Sequence, residues 1–139
     1  MGILYTDIAI ENPLAPGVRV TLPRALVDTG AELSWAPSEA LEALGIERKK
    51  KVTYTTADGR PVTRHIGFAI VYAGGTRTND EIVFGEPGDL TLLGARTMQG
   101  LNLVIDLVGQ RFASAGPGHA PATISEKARW YLEREPPAM

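Results

Sequence analysis

Cysteine is absent from all 139 residues of the chain. Without it the chain can have no disulfide framework, no thiolate metal site and no cysteine nucleophile. Only two histidines are present, His65 and His119, and neither has a histidine or acidic partner at the spacing of metal ligands. We therefore expect no metal site and no cofactor.

Long apolar runs and an excess of one charge are also missing. No stretch approaches the ~20 apolar residues that span a bilayer, and the first residues lack the basic and apolar regions of a signal peptide. The formal net charge is −2 and the pI about 5.7, which disfavours binding to nucleic acid or to an anionic membrane surface. We expect a cytoplasmic protein with no nucleic-acid or membrane partner.

Turn-forming residues are abundant, with 15 glycines and 10 prolines. They separate short alternating segments, which is typical of a β-rich domain. One main helix is predicted from Ser38 to Leu44, ended by Gly45, and a brief second helix over 95–99. A Gly- and Pro-rich stretch then begins, so we divide the chain into a domain at 1–115 and, at 116–139, a linker with a C-terminal helical tail.

The segment Leu26-Val27-Asp28-Thr29-Gly30-Ala31 carries the clearest chemical signal. An apolar strand ending in Asp-Thr-Gly delivers one carboxylate to a tight turn, where the glycine allows a close backbone approach. The triplet occurs once. Catalysis by two carboxylates that share a proton would need the second from an identical chain across a two-fold axis.

Two later segments complete the pattern. Ala57-Asp58-Gly59-Arg60 lies between strand-like segments, and Asp-Gly predicts a hairpin turn there. This hairpin is a candidate flap, whose charged residues either contact substrate or are simply turn residues exposed to solvent. Thr91-Leu92-Leu93-Gly94 enters the brief second helix about 65 residues after the Asp-Thr-Gly turn.

With this spacing the chain resembles the retropepsin-like, retroviral-type aspartic proteases, and most of all their single-domain bacterial and archaeal members. The resemblance covers residues 3–112. It implies an all-β acid-protease closed barrel with one main helix after the catalytic turn. It also implies a homodimeric aspartic endopeptidase acting on peptide or protein substrates. The resemblance further implies that Asp28 is catalytic and that the active-site loop is supported by Thr29, Gly30, Ala31, Leu93 and Gly94.

Three questions stay open at the level of sequence. The fold can also serve as a catalytically silent peptide-binding and dimerisation module. In retropepsins an arginine often follows the second glycine and pairs with an acidic residue after the catalytic turn. Here Ala95 follows and Arg96 comes next, so either Arg96 reaches Glu32 or that support is absent. Trp35, close to the turn, is either a substrate contact or a core residue.

Overall fold

The computed structural model describes residues 3–106 and 108–115, which form nine strands and two helices. In chain order these are β1 (Tyr5–Asn12), β2 (Ala15–Val27), β3 (Ser34–Pro37), α1 (Ser38–Ala43), β4 (Lys50–Thr55), β5 (Pro61–Ala73), β6 (Thr76–Gly85), β7 (Leu92–Leu93), α2 (Ala95–Gly100), β8 (Leu103–Asp106) and β9 (Arg111–Ser114). The predicted tail, including its linker, lies outside the described residues. The domain division at residue 115 stays a prediction.

Seven strands form one sheet in the order β1-β2-β7-β3-β6-β5-β4, and β1 also pairs with β5. This pairing joins six strands into a barrel-like ring, with β4 outside it. The ring is narrowest at β7, which has two residues and pairs with β3 at Trp35 alone. The all-β class is confirmed, although the barrel closes unevenly. Strands β8 and β9 form a separate antiparallel pair.

The core lies inside this ring, because alternate residues of each strand turn inward. In β1, Ile8 and Ile10 are fully buried, and in β6 the last four residues, 82–85, are buried. Val27 at the end of β2 and Leu93 in β7 are both part of this core. The two strand ends are thus held by apolar packing as well as by hydrogen bonds.

Both predicted helices are present, with six residues each. Helix α1 ends where predicted, since Gly45 takes a φ of +74° that an L-residue adopts with strain. The buried Asn12 side chain donates to the Leu44 carbonyl at 2.9 Å, which satisfies one group at the helix end. Neither helix is long and apolar enough to cross a membrane, and no other candidate span exists in the described ranges.

The second strand differs from its prediction. The alternating residues 18–22 and the apolar residues 24–27, with Pro23 between them, predict two short strands, but β2 is continuous from Ala15. Pro23 is accommodated by an irregularity, because Arg24 has a φ of +56° and the register with β1 shifts between Thr6 and Ile8. The Arg24 N–H donates to Asp7 Oδ1 at 3.1 Å. Strand β3, which follows the Asp28 turn, was not predicted.

A buried carboxylate holds the β1–β2 hairpin. Glu11 is only 5% exposed and accepts hydrogen bonds from the Tyr72 hydroxyl and, at 2.7 Å, from the Gly17 N–H. Arg19 lies 3.7 Å from the same carboxylate. These contacts, the Tyr72 hydrogen bond foremost, lower the pKa of Glu11.

Candidate active site

Asp28 follows directly after β2, at the point where the chain leaves the sheet. Its carboxylate Oδ1 accepts the Gly30 N–H at 2.9 Å, and its carbonyl accepts the Ala31 N–H at 3.2 Å. The turn therefore orients the carboxylate through the backbone. Asp28 and Ala31 are half-buried, whereas Thr29 and Gly30 are exposed.

The second predicted element lies against this turn. The Asp28 N–H donates to the Leu93 carbonyl at 3.0 Å, and the Ala95 N–H donates to the Ala31 carbonyl at 2.8 Å. The Arg96 N–H donates to the Glu32 carbonyl at 3.0 Å. Three backbone hydrogen bonds thus join residues 28–32 to residues 93–96, which the chain separates by about 60 positions.

Gly94 has room for no side chain. A Cβ atom there would lie 2.5 Å from the Leu33 carbonyl oxygen and 3.0 Å from that of Ala31. Its φ of −91° is open to any residue, so the requirement for glycine comes from this close approach. The structure therefore brings together Asp28, Thr29, Gly30, Ala31, Leu93 and Gly94.

A buried chain of side-chain hydrogen bonds, which the sequence reasoning missed, supports Gly94. The Gly94 N–H donates to Ser34 Oγ at 2.9 Å, and Ser34 Oγ lies 2.6 Å from Thr97 Oγ1. The Thr97 hydroxyl in turn donates to Asp80 Oδ2 at 3.3 Å. Ser34 and Thr97 are both 0% exposed. A serine within the apolar stretch Leu33-Ser34-Trp35-Ala36 is the signal that could have revealed this chain.

The question about Arg96 has a definite answer. Its guanidinium Nη2 lies 3.4 Å from Asp80 Oδ1, and only its backbone contacts Glu32. Of the two expectations, a side-chain pair with Glu32 is not formed among the described residues, and an ion pair with Asp80 stands in its place. The Asp80 carboxylate is 8% exposed and the Arg96 side chain 45%.

The predicted flap residues Ala57, Asp58, Gly59 and Arg60 form the exposed tip of the β4–β5 hairpin. The Asp58 carboxylate accepts a hydrogen bond from the Thr56 hydroxyl and one, at 2.8 Å, from Arg60 Nε. These contacts lower the pKa of Asp58, the Thr56 hydrogen bond most. Within the described residues the hairpin tip makes no hydrogen bond to the Asp28 turn.

A row of partly exposed side chains, those of Leu26, Leu92 and Trp35, lies between the β4–β5 hairpin and the Asp28 side of the sheet. Trp35 pairs with Leu92, and Leu92 pairs with Leu26. Since paired residues share a face and alternation continues from Leu26 to Asp28, these side chains lie on one face of the sheet. The Trp35 ring is 5.5 Å from that of Tyr54 on β4. Trp35 is thus partly a packing residue and partly accessible.

An ion pair lies next to Trp35, at one end of this row of side chains. Arg64 donates to both oxygens of Asp89, at 2.7 and 3.0 Å, and its guanidinium carbon lies 5.9 Å from the Trp35 ring centre. The hydrogen bonds from Arg64 lower the pKa of Asp89. Burial raises the pKa of Tyr54. The ion pair therefore joins the β4–β5 hairpin to the loop between β6 and β7.

In the described ranges no cluster of three or more His, Cys, Asp or Glu side chains could hold a metal ion. A half-buried carboxylate in a backbone-braced turn, beside a second apolar-Gly element, can act as an acid or a base.

The sequence pattern of the aspartyl protease family matches residues 16–97, more than half of the chain and all of both elements. The chain belongs to the aspartyl protease family. The resemblance drawn from residues 26–31 is confirmed at this level.

One solved structure is also similar to the chain. The solution structure of simian foamy virus (mac) protease is 20% identical, and the match covers 68% of this chain and 91% of that protein, with a TM-score of 0.47. The curated proteins compared with the chain give no match. In this chain Gly94, the glycine that follows Leu92-Leu93, is the N-cap of α2.

Proposed function

We propose that this aspartyl protease family member is a homodimeric endopeptidase whose two Asp28 carboxylates, one from each chain, form the catalytic dyad. The observation that carries the proposal is the braced Asp28 turn, present once in the chain. Its neighbours Thr29 and Gly30 are exposed, and a second copy related by a two-fold axis would cover them.

The chemistry follows from two carboxylates held close together. Like charges at such a separation cannot both be ionised, so the pair shares one proton. The ionised Asp28 takes a proton from a water molecule as that water attacks the peptide carbonyl carbon. The protonated Asp28 of the other chain donates to the carbonyl oxygen, which gives a tetrahedral gem-diol intermediate. When the intermediate collapses, the Asp28 that took the proton from water donates it to the leaving nitrogen, the other Asp28 takes a proton from a gem-diol hydroxyl, and the C–N bond breaks. The pair again holds one proton.

The surrounding residues suit an extended peptide. Such a substrate can bind by strand addition, in which the backbone near Gly30 supplies main-chain hydrogen bonds. The face shared by Asp28, Leu92 and Trp35 offers apolar contact to substrate side chains. The β4–β5 hairpin would close over the substrate and limit the access of water.

The first test is cleavage of a diverse peptide library between about pH 3 and pH 8, read by mass spectrometry. We expect the wild-type chain and an Asp7→Asn control to cleave the same bonds, and Asp28→Asn to cleave none. Asp7 is exposed, and its replacement retains an acceptor for the Arg24 N–H. A folded dimer that cleaves nothing, with or without the substitution, would refute the peptidase and favour a peptide-binding module.

Mixing experiments test the shared dyad. If each active site uses both chains, equal amounts of wild type and Asp28→Asn that exchange freely give about one quarter of dimers with two Asp28 residues. Activity per wild-type chain then falls by about half. Mixing with Asp7→Asn, which is itself active, leaves the activity per total chain unchanged. Activity that is independent of added Asp28→Asn chain would contradict a site formed across the dimer.

A further inference from the structure

We propose that Ser34, Thr97 and Asp80 are positioning residues that fix the catalytic turn through the Leu93–Gly94 peptide group. The inference rests on the proposed function, since it assigns a role in catalysis at Asp28. None of the three side chains is within the Asp-Thr-Gly motif, and Asp80 comes from β6, remote in sequence from both site elements.

The first step of the argument is the direction of the hydrogen bonds. Ser34 Oγ accepts the Gly94 N–H, so its own proton is available for Thr97 Oγ1, 2.6 Å away. The Thr97 hydroxyl donates to the Asp80 carboxylate. Every donor therefore points the same way, from the Gly94 amide to a negative charge. A chain with one direction is polarised along its length, and each bond strengthens the next.

The second step links this chain to Asp28. The peptide group between Leu93 and Gly94 has two ends. Its N–H belongs to the chain just described, and its carbonyl accepts the Asp28 N–H at 3.0 Å. Fixing the plane of this peptide group therefore fixes the position and direction of the acceptor that holds the Asp28 backbone. Asp28 Oδ1 is positioned in turn by the Gly30 amide.

The third step is the cost of breaking the chain. Ser34 and Thr97 are fully buried, and no water can reach a hydroxyl there that loses its partner. At the other end of this series of hydrogen bonds, the Arg96 guanidinium lies 3.4 Å from Asp80 Oδ1 and keeps the Asp80 carboxylate, the last acceptor, in place. The Asp80 carboxylate also accepts the Glu81 N–H at 2.7 Å, so it is anchored to its own strand.

Thr97→Val tests the proposal, because valine has the shape of threonine without the hydroxyl. We expect kcat for peptide cleavage to fall about tenfold with KM within about twofold of wild type, since the hydrogen bonds of the Thr97 hydroxyl with Ser34 and with Asp80 are both lost behind the catalytic turn. Thr97→Ser keeps the hydroxyl and should restore kcat to within about threefold. Thr21→Val is the matched control, because it removes a hydroxyl from an exposed position of β2 that is part of neither the Asp28 turn nor the β4–β5 hairpin.

Amide hydrogen exchange gives a readout that does not require activity. In Thr97→Val the Gly94 and Asp28 amides should exchange about tenfold faster or more, while the amides of the β1–β5 pairing keep their wild-type rates. In Thr97→Ser all of these should stay near wild type. A general loss of protection would indicate a merely structural role and would overturn the proposal.

Two further results would also overturn it. One is wild-type kcat in Thr97→Val, and the other is an equal loss in Thr97→Val and Thr97→Ser, which would show that the effect does not follow the hydroxyl. If the wild-type protein cleaves no peptide, the proposed function fails by itself. The positioning role then depends on exchange alone, and unchanged Gly94 and Asp28 amides in Thr97→Val would refute it.

Discussion

Replacing Gly94 with alanine should damage both stability and catalysis. The new methyl group would lie 2.5 Å from the Leu33 carbonyl oxygen and 2.6 Å from its carbon. Both are backbone atoms, so main chain must move by about 1 Å to reach ordinary contact. Overpacking of this kind costs about 1–3 kcal/mol, and the displaced Gly94 N–H weakens its bond to Ser34 by about 1 kcal/mol. We expect a total of about 3 kcal/mol.

Thermal unfolding measures this loss. For a chain of this length ~3 kcal/mol corresponds to a fall in Tm of about 10 °C. Gly67→Ala is the control, because a methyl group there would lie 2.5 Å from the Glu47 carbonyl oxygen, an equal clash remote from the catalytic turn. Both variants should lose similar stability. Only Gly94→Ala should also lose about 100-fold in kcat at a temperature where both are folded, since it displaces the reacting group.

Two results would refute this reasoning. A fall in Tm of less than about 3 °C in Gly94→Ala would show that the loop yields freely and that the close approach is not a constraint. An equal loss of kcat in the Gly67 and Gly94 variants would show that the effect on catalysis follows from reduced stability alone. The measurements therefore separate the packing role of Gly94 from its role in the site.

Three other perturbations have definite expected outcomes. Asp58→Ala should leave the kinetics of peptide cleavage unchanged within about twofold, because that carboxylate is bound within its own hairpin; a larger change would mean that it contacts substrate. Asp89→Asn should lower Tm at pH 6. Because the Arg64 hydrogen bonds hold the Asp89 pKa below its ordinary 3.8, their stabilisation is present above that pH and is lost as the pH falls through the lowered value. The difference in Tm between wild type and variant should therefore shrink below about pH 4, and a constant difference would contradict this. Tyr72→Phe should lower Tm by several degrees, since it removes the foremost hydrogen bond of the buried Glu11; an unchanged Tm would refute that role.

Local chemistry made the Asp28 turn predictable. An apolar strand, one carboxylate and a glycine occur within six consecutive residues, so a single short segment indicates that a turn presents Asp28 there. The helix end at Gly45 and the hairpin at Asp58-Gly59 follow from equally local rules, since each depends on a residue that tolerates a positive φ. For such features sequence and structure agree.

Features that depend on partners distant in sequence were not predictable. The continuous β2 includes Pro23, which usually interrupts a strand, and only the shift in register against β1 shows how it is accommodated. Strand β3 has four residues including a proline, and it is a strand because β6 and β7 lie on either side of it. The Asp80 contact with Thr97 likewise needs the fold of β6 against α2.

The position of Arg96 shows how one residue of displacement redirects a contact. In the retropepsin-like pattern the arginine directly follows the glycine, whereas here Ala95 intervenes. Each helical residue turns the side chain by about 100°, so at the start of α2 an arginine one position later no longer faces the catalytic turn. It faces β6, where Asp80 Oδ1 lies 3.4 Å away. The other oxygen of the same Asp80 carboxylate accepts the Thr97 hydroxyl. The ion pair that the family pattern places next to the Asp28 turn therefore lies behind that turn in this protein. There it stabilises Asp80, the last acceptor in the buried series of hydrogen bonds.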